Sequence, residues 1–99
     1  MKVSWTERAR ADLAAIAITI AGERGRFVAE KWRNCIVAST GSLAKMPFIG
    51  GEVREVGRED IREVGVPPYR AIYRVRHDHC EILTIVHSRQ LLSHVDLQP

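Results

Sequence analysis

The chain has 99 residues, of which 45% are hydrophobic, and its formal net charge is +3 at neutral pH. This length fits one domain and leaves no room for a second, and no apolar run is long enough to cross a membrane. Residues 1–49 hold eight cations and four carboxylates, whereas residues 50–99 hold seven arginines and eight carboxylates. Any anion bound by the second half must therefore be held by local geometry rather than by a general positive field.

The remaining composition excludes several classes of site. Residues 1–5 are not followed by the apolar stretch of a signal peptide, which predicts a cytoplasmic protein. Cys35 and Cys80 lie far apart and are predicted to be two buried thiols in a reducing compartment. The four histidines form no metal-binding pattern, so the sequence predicts no metal and no cofactor.

The first half of the chain predicts a short strand followed by two helices. Lys2–Trp5 is the candidate strand, and Thr6 is a suitable N-cap for the helix that follows. One apolar stripe marks the first helix, formed by Ala9, Leu13, Ile16 and Ile20. Gly22 and Gly25 predict its end.

The second helical pattern runs from about Arg26 to Ala44. Its buried face is predicted to contain Val28, Trp32, Ile36, Ser39 and Leu43, supported by Phe27 and Cys35. Because only a few residues separate the two helices, they are expected to be antiparallel neighbours. The run MPFIGG, residues 46–51, cannot continue a helix and begins a loop.

The second half has the pattern of short strands. The candidates are Val53–Val56, Ile61–Val66, Tyr69–Arg76 and Cys80–His87. The pair Pro67-Pro68 breaks the chain, and residues 77–79 are predicted to form a hairpin turn. Together the elements predict an α+β fold in which an antiparallel two-helix hairpin packs on one face of a mainly antiparallel four-stranded sheet, in the order β-α-α-β-β-β.

One of these predicted strands, Tyr69–Arg76, contains three arginines. Arg70, Arg74 and Arg76 lie two or four residues apart, so their side chains leave the strand on the same face. Such a row of guanidinium groups on a sheet invites an anionic partner.

Four segments, in this order, resemble the RelE/ParE superfamily of type II toxin–antitoxin modules, and more the ParE branch. The opening resembles the family's A-x-x-D-L-x-x-I helix, here in SWTERARADLAAIAITIA. A second segment resembles L-x-x-x-P-x-x-G, here in LAKMPFIGGEVREV. The third is similar to the family's Y-R-ϕ-ϕ-Y-R-V stretch, where ϕ is apolar, and the fourth to its closing H-x-R; they read IREVGVPPYRAIYRV and EILTIVHSRQ.

The resemblance implies a single toxin domain over residues 1–99, held inactive by a cognate antitoxin, with a toxin dimer allowed within the complex. ParE-like members inhibit DNA gyrase. RelE-like members enter the ribosome and cut mRNA without a metal. Superfamily membership alone does not choose between the two activities.

For a nuclease, the resemblance implies a site made from a few cations and an acid. Arg70 matches the arginine of the Y-R-ϕ-ϕ-Y segment, and Arg89 matches the one beyond the last strand. Arg62 lies near the position of a strand lysine, and His87 has an imidazole that titrates in a useful range. The same residues have structural interpretations: Arg70 as an ion-pair partner of Glu63 or Glu81, and His87 as the end of a strand.

The departures from the RelE pattern favour the ParE activity. No lysine follows Lys45, and no tyrosine follows Tyr73; Val95 stands about where the C-terminal tyrosine of RelE-like members would fall. A base for the 2′-hydroxyl and an acid for the leaving oxygen are both needed to cut RNA, and this set is incomplete. The sequence therefore favours a gyrase-binding toxin that performs no chemistry, with a ribosome-dependent mRNA endoribonuclease as the alternative.

Overall fold

A computed structural model describes residues 1–90, Leu92 and Leu97. The elements in chain order are β1 (Lys2–Trp5), α1 (Glu7–Arg24), α2 (Arg26–Gly41), a 3-10 turn (Ser42–Ala44), β2 (Gly51–Glu52), β3 (Ile61–Val66), β4 (Tyr69–Val75) and β5 (His79–His87). The sheet order is β1-β5-β4-β3-β2. β1 runs parallel to β5, and every other pair is antiparallel. The predicted α+β class and order of helices and long strands are confirmed.

The two helices form the predicted hairpin, with one residue between them. The Thr6 side chain accepts a hydrogen bond of 3.0 Å from the Ala9 N–H and caps α1. α1 continues past Gly22 to Arg24, because glycine weakens a helix without ending it. Gly25 joins the helices at a φ of 93°, a conformation that other residues rarely adopt.

Each face of the sheet carries its own apolar core. On one face, Ala9 of α1 and Ile36 of α2 pack against Tyr73 of β4 and Ile82 of β5, so both helices lie on the same side of the sheet. This side is called the helix face below. On the opposite face, Ile61, Ile72 and Leu83 pack with partly buried groups that include Leu92 and Leu97.

The sheet has five strands rather than the predicted four. The additional strand, β2, has only Gly51 and Glu52, which pair with Glu63 and Arg62 of β3. The predicted strand Val53–Val56 is wrong, because the N–H groups of Val56 and Gly57 both bond to the Val53 carbonyl and close a turn. Val53 is fully buried on the opposite face, so its apolar side chain reflects packing rather than a strand.

Two predicted core positions of α2 are exposed. Phe27 is 82% exposed, and the Cys35 thiol is free and exposed, whereas Cys80 is buried. The prediction of two buried thiols is therefore wrong for Cys35. α2 packs against β3, and beyond β3 the sheet continues only with the two residues of β2. The sheet is too narrow on this side to cover both flanks of the helix.

A bulge in β5 changes which side chains share a face. The pairing with β4 skips from Ile72–Thr84 to Tyr73–Ile82, and as a result Leu83 and Ile85 belong to opposite cores. His87 therefore shares its face of the sheet with Ile85 but not with Leu83, although the three residues alternate along the sequence. Within the described part of the chain, neither helix combines the length and apolar character that a bilayer span requires.

Candidate functional site

The arginine row of β4 is matched by carboxylates of the same chain. Arg74 Nε lies 3.1 Å from Asp60 Oδ2, and Arg76 Nη2 lies 3.1 Å from Glu81 Oε1. Arg70 contacts two glutamates, which are described next. The anionic partners that the row invites are thus supplied largely from within the fold.

Arg70 is the centre of the densest ionic network in the described residues. Its guanidinium donates to Glu63 at 2.6 Å and to Glu55 at 2.7 Å, and only 11% of its side chain is exposed. It also donates to the Gln90 carbonyl at 2.6 Å. The structural interpretation of Arg70, with Glu63 as its partner, is confirmed; Glu81 pairs with Arg76 instead.

The network also shifts the pKa of two of its members, Glu55 and Arg70. The hydrogen bond from Arg70 lowers the pKa of Glu55 to about 2, and the same bond raises the pKa of Arg70. The Leu92 N–H donates to Glu55 at 3.3 Å, so the network also binds the chain that follows β5. The two carboxylates compensate the charge of the guanidinium and occupy its Nη donors, so Arg70 is poorly placed to bind a phosphate as well.

Arg62 lies on the other face of the sheet and holds a loop. It pairs across the strands with Tyr73, whose ring is in the core of the helix face. Its guanidinium donates to the Gly50 carbonyl at 2.7 Å and to the Glu59 carbonyl at 3.1 Å. It also lies 5.0 Å from the centre of the Phe48 ring. These contacts assign Arg62 a structural role that the sequence did not indicate.

His87 and Arg89 lie together at the end of β5. The His87 ring is 6.1 Å from the Tyr69 ring, edge to face. Its Nδ1 accepts a hydrogen bond of 3.3 Å from the Arg89 N–H. Both residues are exposed. Together with Asp12, Ile16 and other residues, His87 lines a shallow depression of about 320 Å³ between α1 and β5.

The four candidate residues do not form one constellation. Arg70 lies on the face away from the helices, whereas His87 and Arg62 lie on the helix face. Arg62 is opposite Tyr73 of β4, and His87 is opposite Tyr69 of the same strand. Because these two tyrosines are four residues apart, Arg62 and His87 are separated by roughly 13 Å along the strand direction, at about 3.3 Å per residue. His87 and Arg89 are neighbours at the end of β5. Val95 lies outside the residues that the structure describes.

Within residues 1–90, Leu92 and Leu97, no three His, Cys, Asp or Glu side chains are grouped as a metal site would require. The described surface carries two apolar features. One groove, of about 520 Å³, lies between α2 and the turn after β3; Val28, Trp32, Cys35, Val66 and Pro67 line it, with Arg24 and Lys31. It is called the α2 groove below.

A second apolar feature escaped the sequence reasoning. Met46, Phe48 and Ile49, in the loop before β2, are each 56% exposed. The sequence predicts only that this segment ends the helix and begins a loop. The sequence does contain an indication of this exposed surface: three large apolar residues lie beside a proline and two glycines, whereas the loops of most proteins are polar.

Comparisons with known proteins agree with this architecture. The model of the family described as "ParE toxin of type II toxin-antitoxin system, parDE" matches residues 3–92. Among solved structures, the chain is similar to one from the chromosomal ParDE toxin–antitoxin system of P. aeruginosa, with a TM-score of 0.75 and 28% identity over 88% of this chain and 95% of that one.

It is also similar to a chain of the toxin–antitoxin complex RelBE2 of Mycobacterium tuberculosis, with a TM-score of 0.60 and 25% identity over 87% of this chain and 88% of that one. No curated protein matches in sequence. The family match spans nearly the whole chain, and both structural matches cover most of it. The chain therefore belongs to the ParE toxin family, within the ParE/RelE superfamily of type II toxin–antitoxin toxins.

Proposed function

We propose that this toxin inhibits DNA gyrase by binding it, performs no chemistry itself, and is neutralised by a cognate antitoxin. The observation that carries the proposal is the pairing of Arg70 with Glu55 and Glu63. Metal-independent RNA cleavage needs an uncompensated cation at the phosphate and a base and an acid beside it. Arg70 is compensated, and His87 and Arg62 lie on the other face of the sheet.

The two activities differ in what purified components would show. The protein is added to gyrase and relaxed plasmid, and, separately, it is expressed briefly in a sensitive host whose mRNA is mapped by primer extension. We expect inhibited supercoiling or stabilised DNA cleavage, with mRNA intact. In-frame cuts in mRNA, with supercoiling unaffected, would establish the RelE-type endoribonuclease instead. The proposal places the protein in the cytoplasm, where gyrase acts.

A matched variant tests whether Arg70 takes part in either activity. Replacing both Glu55 and Glu63 with glutamine leaves Arg70 uncompensated, whereas Arg70→Gln removes the cation. If the toxin acts only by binding gyrase elsewhere, each folded variant should inhibit supercoiling like the natural protein. Gain of RNA cleavage on freeing Arg70 would show that the compensating glutamates suppress a latent nuclease.

The α2 groove is the proposed binding site of the antitoxin. Its lining is apolar, and both charged groups in it, Arg24 and Lys31, are cations. Phe27 lies on the same helix at 82% exposure, and Ile18 of α1 is 73% exposed. These features fit a segment with apolar anchors and acidic neighbours that folds as it binds. The two solved structures compared above come from toxin–antitoxin systems.

Cys35 provides a test of this surface, because its thiol is exposed in the groove. Antitoxin bound there should protect Cys35 from a maleimide reagent, and a bulky maleimide adduct formed first should block antitoxin binding. Cys35→Ser, treated with the same reagent, is the control and should bind antitoxin normally. Equal labelling of Cys35 in the free toxin and in the complex would show that the antitoxin binds another surface.

A further inference from the structure

The loop between the 3-10 turn and β2 displays a rigid apolar surface. Met46, Phe48 and Ile49, called the apolar knob below, are each 56% exposed. They line neither the α2 groove nor the depression beside His87. Three large apolar side chains within four residues, each more than half exposed, are unfavourable for an isolated protein and mark an interaction surface when they are clustered.

One buried hydroxyl holds both ends of the knob. The Tyr73 hydroxyl donates to the Pro47 carbonyl at 2.8 Å and accepts from the Gly50 N–H at 3.0 Å. Tyr73 itself is fully buried, so this anchor is part of the core. Within the loop, the Ile49 N–H bonds to the Met46 carbonyl at 3.2 Å. The exposure of the knob is therefore a fixed feature of the fold and not a consequence of a slack loop.

Two further contacts make the loop backbone specific. Arg62 donates to the Gly50 carbonyl and lies over the Phe48 ring. At Gly50 a Cβ would come within 2.5 Å of both the Glu63 carbonyl oxygen and the Tyr73 hydroxyl. Only glycine fits so close to β3 and Tyr73 without displacing them. Binding by such a preorganised loop loses little conformational entropy.

We infer that the apolar knob is the contact that this toxin makes with its target, by inserting Phe48 and its neighbours into a preformed apolar pocket on a folded protein. The inference rests on the proposed function, because it assumes a protein target. A segment that folds on binding supplies side chains to grooves, and the α2 groove is of that kind. A projecting, rigid knob needs the opposite shape, which a folded partner provides.

Its size and shape also argue against a second copy of this chain as the partner. The knob exposes on the order of 300 Å², taking about 200 Å² for each large side chain, whereas a stable interface covers about 800 Å² on each partner. In a twofold dimer each copy would bury one knob and one groove, roughly 600 Å² per copy, which is still below that size. The knob is therefore an anchor within a contact to a different protein.

The test compares the double variant Phe48→Ser/Ile49→Ser with Phe27→Ser. Both remove exposed apolar groups, but only the first alters the knob. Three quantities are measured on full-length protein: growth arrest on expression, inhibition of gyrase supercoiling, and affinity for the antitoxin. The knob variant should lose at least 10-fold in growth arrest and supercoiling inhibition with antitoxin affinity unchanged. Phe27→Ser should weaken antitoxin binding and leave toxicity intact.

Thermal unfolding and circular dichroism of each variant confirm that it is folded, and Phe48→Leu, which keeps an apolar side chain, should recover part of the activity. A folded knob variant that arrests growth like the natural protein would overturn the inference, as would a parallel loss of antitoxin affinity. Growth arrest by the natural protein with gyrase unaffected would instead overturn the gyrase proposal. In that case the growth readout still decides whether the knob is the target contact.

Discussion

The Asp12 carboxylate on α1 accepts a hydrogen bond of 3.1 Å from the backbone N–H of Ile85 on β5, 73 residues away. It also accepts from the Thr84 hydroxyl. β1 stops pairing with β5 at Ile82, and the bulge follows directly. Asp12 thus bonds the strand edge that β1 leaves uncovered, and it does so from the A-x-x-D-L segment that resembles the family.

Removing this carboxylate should destabilise the fold. Asp12→Ala leaves the Ile85 N–H and the buried Thr84 hydroxyl without their acceptor, and a lost bond of this kind is worth about 1–3 kcal/mol. In a domain of this size 1 kcal/mol corresponds to about 4–8 °C in Tm. Asp12→Asn, whose amide oxygen can still accept, should lose less. Glu23→Ala, at an exposed position of the same helix, is the control; an equal change in both would contradict this role of Asp12.

The Glu55–Arg70 pair predicts an acid-sensitive contribution to stability. The pKa of Glu55 is lowered from 4.5 to about 2 in the folded state, so its ionised form favours folding. The contribution is complete above about pH 4.5 and is lost as the pH falls toward 2. Urea unfolding of the natural protein and Glu55→Gln should therefore differ at pH 7 and converge at low pH. A constant difference across that range would contradict the assignment.

Gly50 and Gly51 are adjacent but should respond differently to alanine. At Gly50 the new Cβ would meet the Glu63 carbonyl oxygen and the Tyr73 hydroxyl, whereas at Gly51 nothing lies within 4 Å. We expect Gly50→Ala to cost about 1–3 kcal/mol, as overpacking does, and Gly51→Ala to be nearly neutral. Chemical denaturation measures both. Equal stability of the two variants would show that the loop can move away from Tyr73 freely.

Tyr73→Phe separates the anchoring of the knob from the packing of the core. The ring volume is kept, but both hydrogen bonds to the loop, at Pro47 and Gly50, are lost. Hydrogen exchange at the Gly50 N–H should accelerate, and supercoiling inhibition should weaken by several-fold while antitoxin affinity is unchanged. If exchange accelerates with no effect on inhibition or growth arrest, the preorganisation of the knob does not matter for the target.

The two cysteines should differ sharply in reactivity. Cys35 is exposed, whereas Cys80 is buried, and burial raises the pKa of the Cys80 thiol. A thiol reagent attacks the thiolate, so the native protein should titrate quickly for Cys35 only, and Cys80 should react after denaturation. Mass spectrometry of the labelled peptides identifies the site. Rapid native labelling of Cys80 would contradict its burial in the core of the helix face.

Local patterns in the sequence were sufficient for the elements themselves. β3 has the predicted bounds Ile61–Val66, and β4 begins at Tyr69 as expected. The Thr6 cap and the stripe from Ala9 to Ile20 also hold. Capping and helical periodicity depend on residues a few positions apart, and strand alternation depends on neighbours, so they can be read without knowing the tertiary structure.

Contacts between distant segments could not be read in this way. The exposure of Cys35 depends on how far the sheet extends beneath α2. The face on which His87 lies, relative to Leu83, depends on one extra residue in β5. Arg70 looked equally suited to a phosphate or a carboxylate, because nothing in its own strand shows that Glu55, in a turn 15 residues earlier, folds back onto it.

Each helix and strand is stabilised by residues close together along the chain, and for this reason the amino-acid sequence is enough to predict a ParE-like chain of two helices and a mainly antiparallel sheet. Three features become visible only in the folded chain: the arginine row is neutralised by carboxylates of the same chain, the nuclease candidates are divided between two faces, and Tyr73 fixes an apolar knob at the surface. Those features arise where charges, edges and hydroxyl groups from separate segments meet, and their partners are chosen by packing rather than by spacing.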